Sequence, residues 1–458
     1  MTNKAYPILA AAAGLLAGYF IGSLGDSQEQ QGSSLSMSAS SAEAGSGAAD
    51  PNGAAGETSG LESKDSSLIG SSTQPGQGTL ALDEEEATAK KRPRTPEQLR
   101  DALLAAKDDP NPISRSAAFA EVLAQLSDEN LDEVVEAFDQ LAFGFENAHD
   151  YRMLLYAWGQ IDPLAAIEYS NRRAKGIGAG FAVAGVLEGW AGREPKAAVD
   201  WVNLPENAGM AKLYRFGLVK GWASQDMEGA TAYVLSLDAG GNRPDLLRTI
   251  TDERLRRDFA STSFWAENLS DDADKKGVFT RVAQQQSRES PGQVAEWLRG
   301  HASEDYAADA LIRLGDNWGK RAPAEAAAYF DDLPTGRARR EGMSEIVESW
   351  ARDEPAEAAA WLNQKDPSPE TDPAVAAYAR VTSMEEGSEA SAMEWAVSIT
   401  DPELQSKTVT SVGRNWYRRD KDAAEAWLPA SGLSEQQQDA IRTPPKQSWW
   451  QTLRPKKD

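Results

Sequence analysis

Two histidines, fourteen tryptophans and a surplus of carboxylates are the groups from which this 458-residue chain could build chemistry. His149 and His301 stand far apart in poorly apolar stretches, so neither a histidine-rich metal site nor a Ser-His-Asp triad has enough material. Both read as surface residues. The chain has no cysteine, which excludes a disulfide and a thiolate metal site. Gly176, Gly178 and Gly180 are spaced like part of a phosphate loop, yet they follow a helical rather than a strand pattern and read as a flexible connector. Tryptophans among 71 Asp and Glu invite a glycan-active reading, with aromatic platforms and two carboxylates flanking a glycosidic bond, but no carboxylate pair stands out. No residue qualifies as catalytic, cofactor-binding or metal-ligating, and the chain reads as a non-enzyme without a cofactor.

The tryptophans answer to a register instead. From Trp158, steps of 32 fall on Trp190, Trp222, Arg254, Gln286, Trp318 and Trp350, then, after a two-residue insertion, on Met384 and Trp416. Eleven residues after each anchor comes an aromatic: Tyr169, Trp201, Tyr233, Trp265, Trp297, Tyr329, Trp361, Trp395 and Trp427. These positions hold 12 of the 14 tryptophans, where an even spread would leave about half of one, so the recurrence reads as packing.

The rest of the unit has a helical grammar. Position −4 carries Leu154, Val186, Leu218, Ile250, Val282, Leu314, Ile346, Arg380 and Val412, and with position −7 it marks one face of a helix ending near the anchor. At +4 stand Asp162, Asp226, Asp258, Asp420, Ser290 and Ser388, all favoured N-caps. Pro163, Pro195, Pro291, Pro323 and Pro355 follow at +5, where a first helical turn tolerates proline. Ala at +8, as in Ala166 and Ala198, admits a close neighbour. Each unit is therefore a longer helix, a short turn and a shorter helix, too small to bury its own apolar stripe and stabilised by stacking on the next.

The array resembles the tetratricopeptide-like superfamily of αα-solenoids, whose aromatic, small and aromatic positions resemble Trp190, Ala198 and Trp201 here. The period of 32, the spacing of 11 and the mid-repeat proline depart from that family's pattern. The resemblance covers 147–428, implies protein or peptide binding on the concave surface, and offers no catalytic residues to transfer. Variable positions are then the candidates for partner contact. At −2 they run Tyr156, Glu188, Lys220, Asp252, Gln284, Asp316, Glu348, Thr382 and Arg414, a mixture that also suits plain solvent exposure.

Residues 5–25 are 21 uncharged residues, enough for a helix across about 30 Å of hydrocarbon. Lys4 before them, and Asp26 and Glu29 after, place the following chain outside the cytoplasm. Cleavage as a signal peptide, with Ser23 and Gly25 ahead of the cut, would release it as a secreted protein. Gly14, Gly18 and Gly22 share one helix face and would allow a membrane homodimer. Residues 26–94 contain no aromatic residue and read as a disordered Ser/Gly/Ala-rich tether spanning about 45 Å. Its acidic run, Asp83 to Glu86, precedes a basic run at Lys90, Lys91, Arg92 and Arg94. Thr95, Pro96 and Gln98 give a helix start with a capping box.

The expected molecule is all-α: a right-handed αα-solenoid of about nine helical hairpins. A transmembrane signal anchor at 1–25 and a linker at 26–94 precede capping helices at 95–146, with Phe138 as a degenerate +11 aromatic. The repeats occupy 147–428, and 429–458 form a C-terminal helix and a basic tail. That tail holds Trp449 and Trp450 beside Lys446, Arg454, Lys456 and Lys457, a composition suited to a membrane interface, a partner groove or the acidic repeats. A net charge of −24 argues against nucleic acid as a partner. The expected function is a scaffold or adaptor of a bacterial inner membrane, with repeats on the periplasmic or extracellular side and protein partners of unknown identity. The alternative is an envelope polysaccharide-binding protein or an α-helical toroid glycan-active enzyme.

Overall fold

The computed structural model describes residues 94–140 and 147–443, which belong to two separate units. The 5–25 segment with Gly14, Gly18 and Gly22, the linker up to residue 93, and Trp449 and Trp450 lie outside the described residues. Among those described, every regular element is helical, and no helix is long and apolar enough to cross a membrane.

The first unit contains α1 (Pro96–Lys107), α2 (Pro112–Leu123) and α3 (Leu131–Asp139). Its start follows the sequence signal: Thr95 accepts from the Gln98 amide at 3.3 Å, and Gln98 accepts from the Thr95 amide at 3.0 Å. Helix α1 packs on both others, around Leu99, Leu103, Val122 and Val134. Phe138 is fully buried there, its ring 5.3 Å from that of Phe119.

Among the described residues the second unit contains nine helix pairs and one further α-helix. Pairs 1 to 3 are α4 (Ala148–Gly159) with α5 (Pro163–Arg173), α6 (Ile177–Arg193) with α7 (Pro195–Val202), and α8 (Ala211–Gln225) with α9 (Met227–Ser236). Pairs 4 to 6 are α10 (Arg243–Leu255) with α11 (Phe259–Glu267), α12 (Asp272–Gln286) with α13 (Pro291–Arg299), and α14 (Ala308–Gly319) with α15 (Pro323–Asp331). Pairs 7 to 9 are α16 (Arg337–Asp353) with α17 (Pro355–Leu362), α18 (Asp372–Thr382) with α19 (Glu389–Val397), and α20 (Pro402–Arg419) with α21 (Lys421–Trp427). Helix α22 (Glu435–Arg442) packs on α20. Each long helix packs on the next long helix, and each short helix packs on the long helices before and after it.

One hydrogen bond repeats through the unit and explains the tight turn. The +4 amide donates to the anchor carbonyl at 2.7–3.0 Å in eight of nine pairs, from Asp162 to Trp158 through to Asp420 to Trp416. It closes the long helix while the same residue opens the short one. Asp162, Asp226, Asp258 and Asp420 also cap the short helix with their side chains, whereas Ser290 and Ser388 do not. Where proline occupies +5, it is the first helical residue.

The core lies at −4, +8 and +12. Leu154, Val186, Leu218, Ile250, Val282, Leu314, Ile346 and Val412 are wholly inaccessible at −4, as are the small +8 residues Ala166, Ala198 and Ala326. The anchors form a second layer with the +11 aromatics. Ring centroids lie 5.2 Å apart for Trp158 and Tyr169, 6.4 Å for Trp190 and Trp201, and 5.5 Å for Trp416 and Trp427. In pair 4 the Arg254 guanidinium replaces the anchor ring, 4.6 Å from the centre of Trp265.

Pair 8 corrects the register. Met384 is not an anchor: α18 ends at Thr382, and Met384 is 69% exposed in the following turn. The two extra residues lie after the long helix, where Gly387 adopts φ +86°, and not before it. Thr382 takes the anchor place, and Tyr378 fills the position assigned to Arg380, which is exposed. The Tyr378 ring meets Trp395 at 5.0 Å. The glycine-rich stretch is also corrected. Gly176 is the N-cap of α6, at φ +60°, and Gly178 and Gly180 belong to the helix.

Candidate functional site

The −2 residues, candidates for partner contact or plain exposure, are in part engaged, some between neighbouring long helices and some within one. Glu188 accepts from Arg152 of pair 1 at 2.8 Å and pairs with Lys220 of pair 3 at 3.0 Å. Asp252 receives the Arg281 guanidinium in a two-pronged contact, at 2.7 and 2.9 Å, together with Gln285 at 3.0 Å. Asp316 pairs with Lys320 at 2.6 Å, and Glu348 with Arg352 at 2.8 Å. Thr382 is buried and donates to the Tyr378 carbonyl. Tyr156 is the −2 residue with a large exposed apolar ring. Along this ladder of −2 residues the contacts of Glu188 and Asp252 link neighbouring long helices, a role that the sequence mixture did not distinguish from exposure.

Carboxylates crowd one part of the ladder. Burial raises the Glu345 carboxyl above the usual carboxylate range, reinforced by Asp316 and Glu348 and opposed by Arg313 and Lys320. Asp309 behaves oppositely: burial works against its charge, but hydrogen bonds from Lys276 and Arg337 outweigh it and hold the carboxyl below the usual range.

The two histidines part company. His149 is exposed on α4, as expected. His301 is not a simple surface residue: its ring packs edge-on against the buried Phe279 at 5.1 Å, and Nδ1 lies 3.0 Å from the Tyr306 hydroxyl. Its Nε2 is 3.5 Å from Glu267, which also accepts from the Trp297 indole at 2.8 Å. Phe259 and Phe279 complete the aromatic cluster around Trp297. Sequence reading missed this group because pair 5 has Gln286 where a Trp anchor would sit, so Trp297 turns to Phe279 instead. Among the described residues no His, Cys, Asp and Glu group is arranged to hold a metal ion.

Two columns of the repeat escaped notice and bear on the outer ends of the long helices. At +3, Arg193 donates to the Gln160 carbonyl at 2.6 Å, Arg257 to the Ala223 carbonyl at 2.7 Å, and Arg419 to the Ser383 carbonyl at 2.9 Å. Each arginine satisfies a carbonyl at the end of the preceding long helix, which otherwise has no partner within its own helix. At +2, Arg256, Arg288, Lys320 and Arg352 recur in the consecutive pairs 4 to 7, and Arg418 stands there in pair 9, all exposed. Reading the 32-residue frame for charge as well as for apolarity would have found both columns. No family model, curated protein or solved structure matches this chain.

Proposed function

We propose that residues 147–428 form a right-handed αα-solenoid of the tetratricopeptide-like kind, serving as a membrane-tethered, exported scaffold that binds other proteins. The observation that carries this reading is the repeating joint, in which the +4 amide bonds to the anchor carbonyl in eight of nine pairs while each long helix packs on the next. A joint repeated with one geometry sums small rotations in one direction, which generates an extended surface from identical steps. Residues 5–25 supply the membrane anchor.

The test is crosslinking of the full chain in its native membrane, followed by identification of the attached partners. The reading expects proteins crosslinked through side chains on the long-helix face. Retention of glycan strands by the purified protein, lost on neutralising exposed carboxylates, would replace it with the polysaccharide reading.

A further inference from the structure

Arg256, Arg288, Lys320 and Arg352 occupy the same place in four consecutive pairs, in a chain of net charge −24. Their helices α10, α12, α14 and α16 pack successively, and packed helix axes stand about 8–10 Å apart. The helix ends are themselves adjacent: Arg257 at +3 reaches the Ser224 carbonyl at +2 of the preceding pair, at 3.3 Å. Attraction to the helix dipole favours a cation at such an end, but it applies to every long helix. Pairs 1 to 3 have Gln160, Gly192 and Ser224 there and pair 8 has Met384, so the dipole does not account for an unbroken run through pairs 4 to 7, from which Arg418 of pair 9 stands apart.

The cations are held loosely. Arg256, Lys320 and Arg352 pair with Glu253, Asp316 and Glu348 three or four residues back in their own chain segment, and each cation is itself more than half exposed, which limits the net worth of the pair. Arg288 has no ion pair among the described residues. A polymer that brings its own anions can therefore displace these local partners at small cost.

We infer that this row is the docking site of an extended acidic peptide from a partner protein, one carrying Asp or Glu at about every third residue. An extended chain advances about 3.3 Å per residue, so every third side chain repeats at about 10 Å, the spacing of the helix ends. This deepens the protein-binding reading and rests on it.

The test measures fluorescence anisotropy of labelled peptides on the full-length protein. One peptide has Glu at every third position among Ser and Thr, and a second has the same composition with its Glu residues adjacent. The spaced peptide is expected to bind more tightly, and the variant R256Q/R288Q/K320Q/R352Q, with unchanged helical circular dichroism, to bind it about tenfold or more weakly. Equal binding of both peptides, or no loss in the variant, overturns the proposal. Tighter binding of a heparin fragment than of the spaced peptide also overturns it, in favour of a general polyanion site. Membrane crosslinking separates the two levels. If the variant keeps every partner of the wild type, the row is wrong and the scaffold stands; if the wild type has no protein partner, the scaffold itself fails.

Discussion

Pairs 1 to 3 and pairs 4 to 5 share a 32-residue frame and differ in what joins their long helices. In α6 and α8 the joint is backbone against backbone: side chains on Gly189, Gly217 or Gly221 would overlap the carbonyl oxygens of Tyr156, Ala184 and Glu188. In α10 and α12 the anchors are Arg254 and Gln286, and the links are side-chain ion pairs, Arg243 with the buried Asp274 and Arg281 with Asp252. Gly277 in α12 faces open space. The first region combines this close backbone approach with the ion pairs of Glu188, whereas the second links its helices by ion pairs without that approach. The second arrangement leaves polar groups at the surface, and the cationic row begins there.

The largest expected effect tests the anchors. Trp190→Ala removes a buried indole from its stack with Trp201 and is expected to cost about 3–5 kcal/mol, whereas Gln286→Ala costs about 1 kcal/mol or less. Comparable midpoints in urea unfolding would erase the distinction between the regions. Nearly as large is Arg243→Ala, which strands the Asp274 carboxylate in the interior at about 3–5 kcal/mol. Full recovery of that loss in the double variant with Asp274→Ala would show the charge, rather than the packing, as its source.

Next come the glycines. Gly217→Ala is expected to destabilise by about 1–3 kcal/mol through overlap with Ala184, while Gly277→Ala stabilises α12 by up to about 1 kcal/mol. Opposite shifts in thermal midpoint are the signature, and shifts of one sign would refute the contrast. The smallest effect is electrostatic. Native Glu345 holds its proton more tightly than the unfolded chain does, so its contribution to stability falls as pH rises from the unfolded value through the raised one. Glu345→Gln should remove that part of the pH dependence and stabilise the protein at neutral pH; an unchanged profile would exclude it.

The period, the all-α class and the capped start at Thr95 were legible because they rest on local patterns of apolar, capping and turn residues. The slip at Met384 arose because an insertion shows its length in sequence but not its side of the helix end, which burial of Thr382 and Tyr378 decides. The −2 ladder was illegible for a different reason. Glu188 and Lys220 look like independent surface charges until adjacent helices bring residues 32 apart within 3.0 Å. His301 joined its cluster through the same long-range step, since Phe279 and Tyr306 reach it from α12 and the segment before α14.

The absence of cysteine makes the central claim, an open stack of equivalent pairs, directly measurable. Spin labels on cysteines introduced at exposed Ser224 and, in turn, Arg288, Arg352 or Arg418 probe separations of two, four and six pairs by pulsed electron paramagnetic resonance. At about 8–10 Å per pair, the distances should rise to roughly 20 and 40 Å and then rise again for the third label. A third distance that falls back below the second would mean that the pairs close into a ring, and the open solenoid would be wrong.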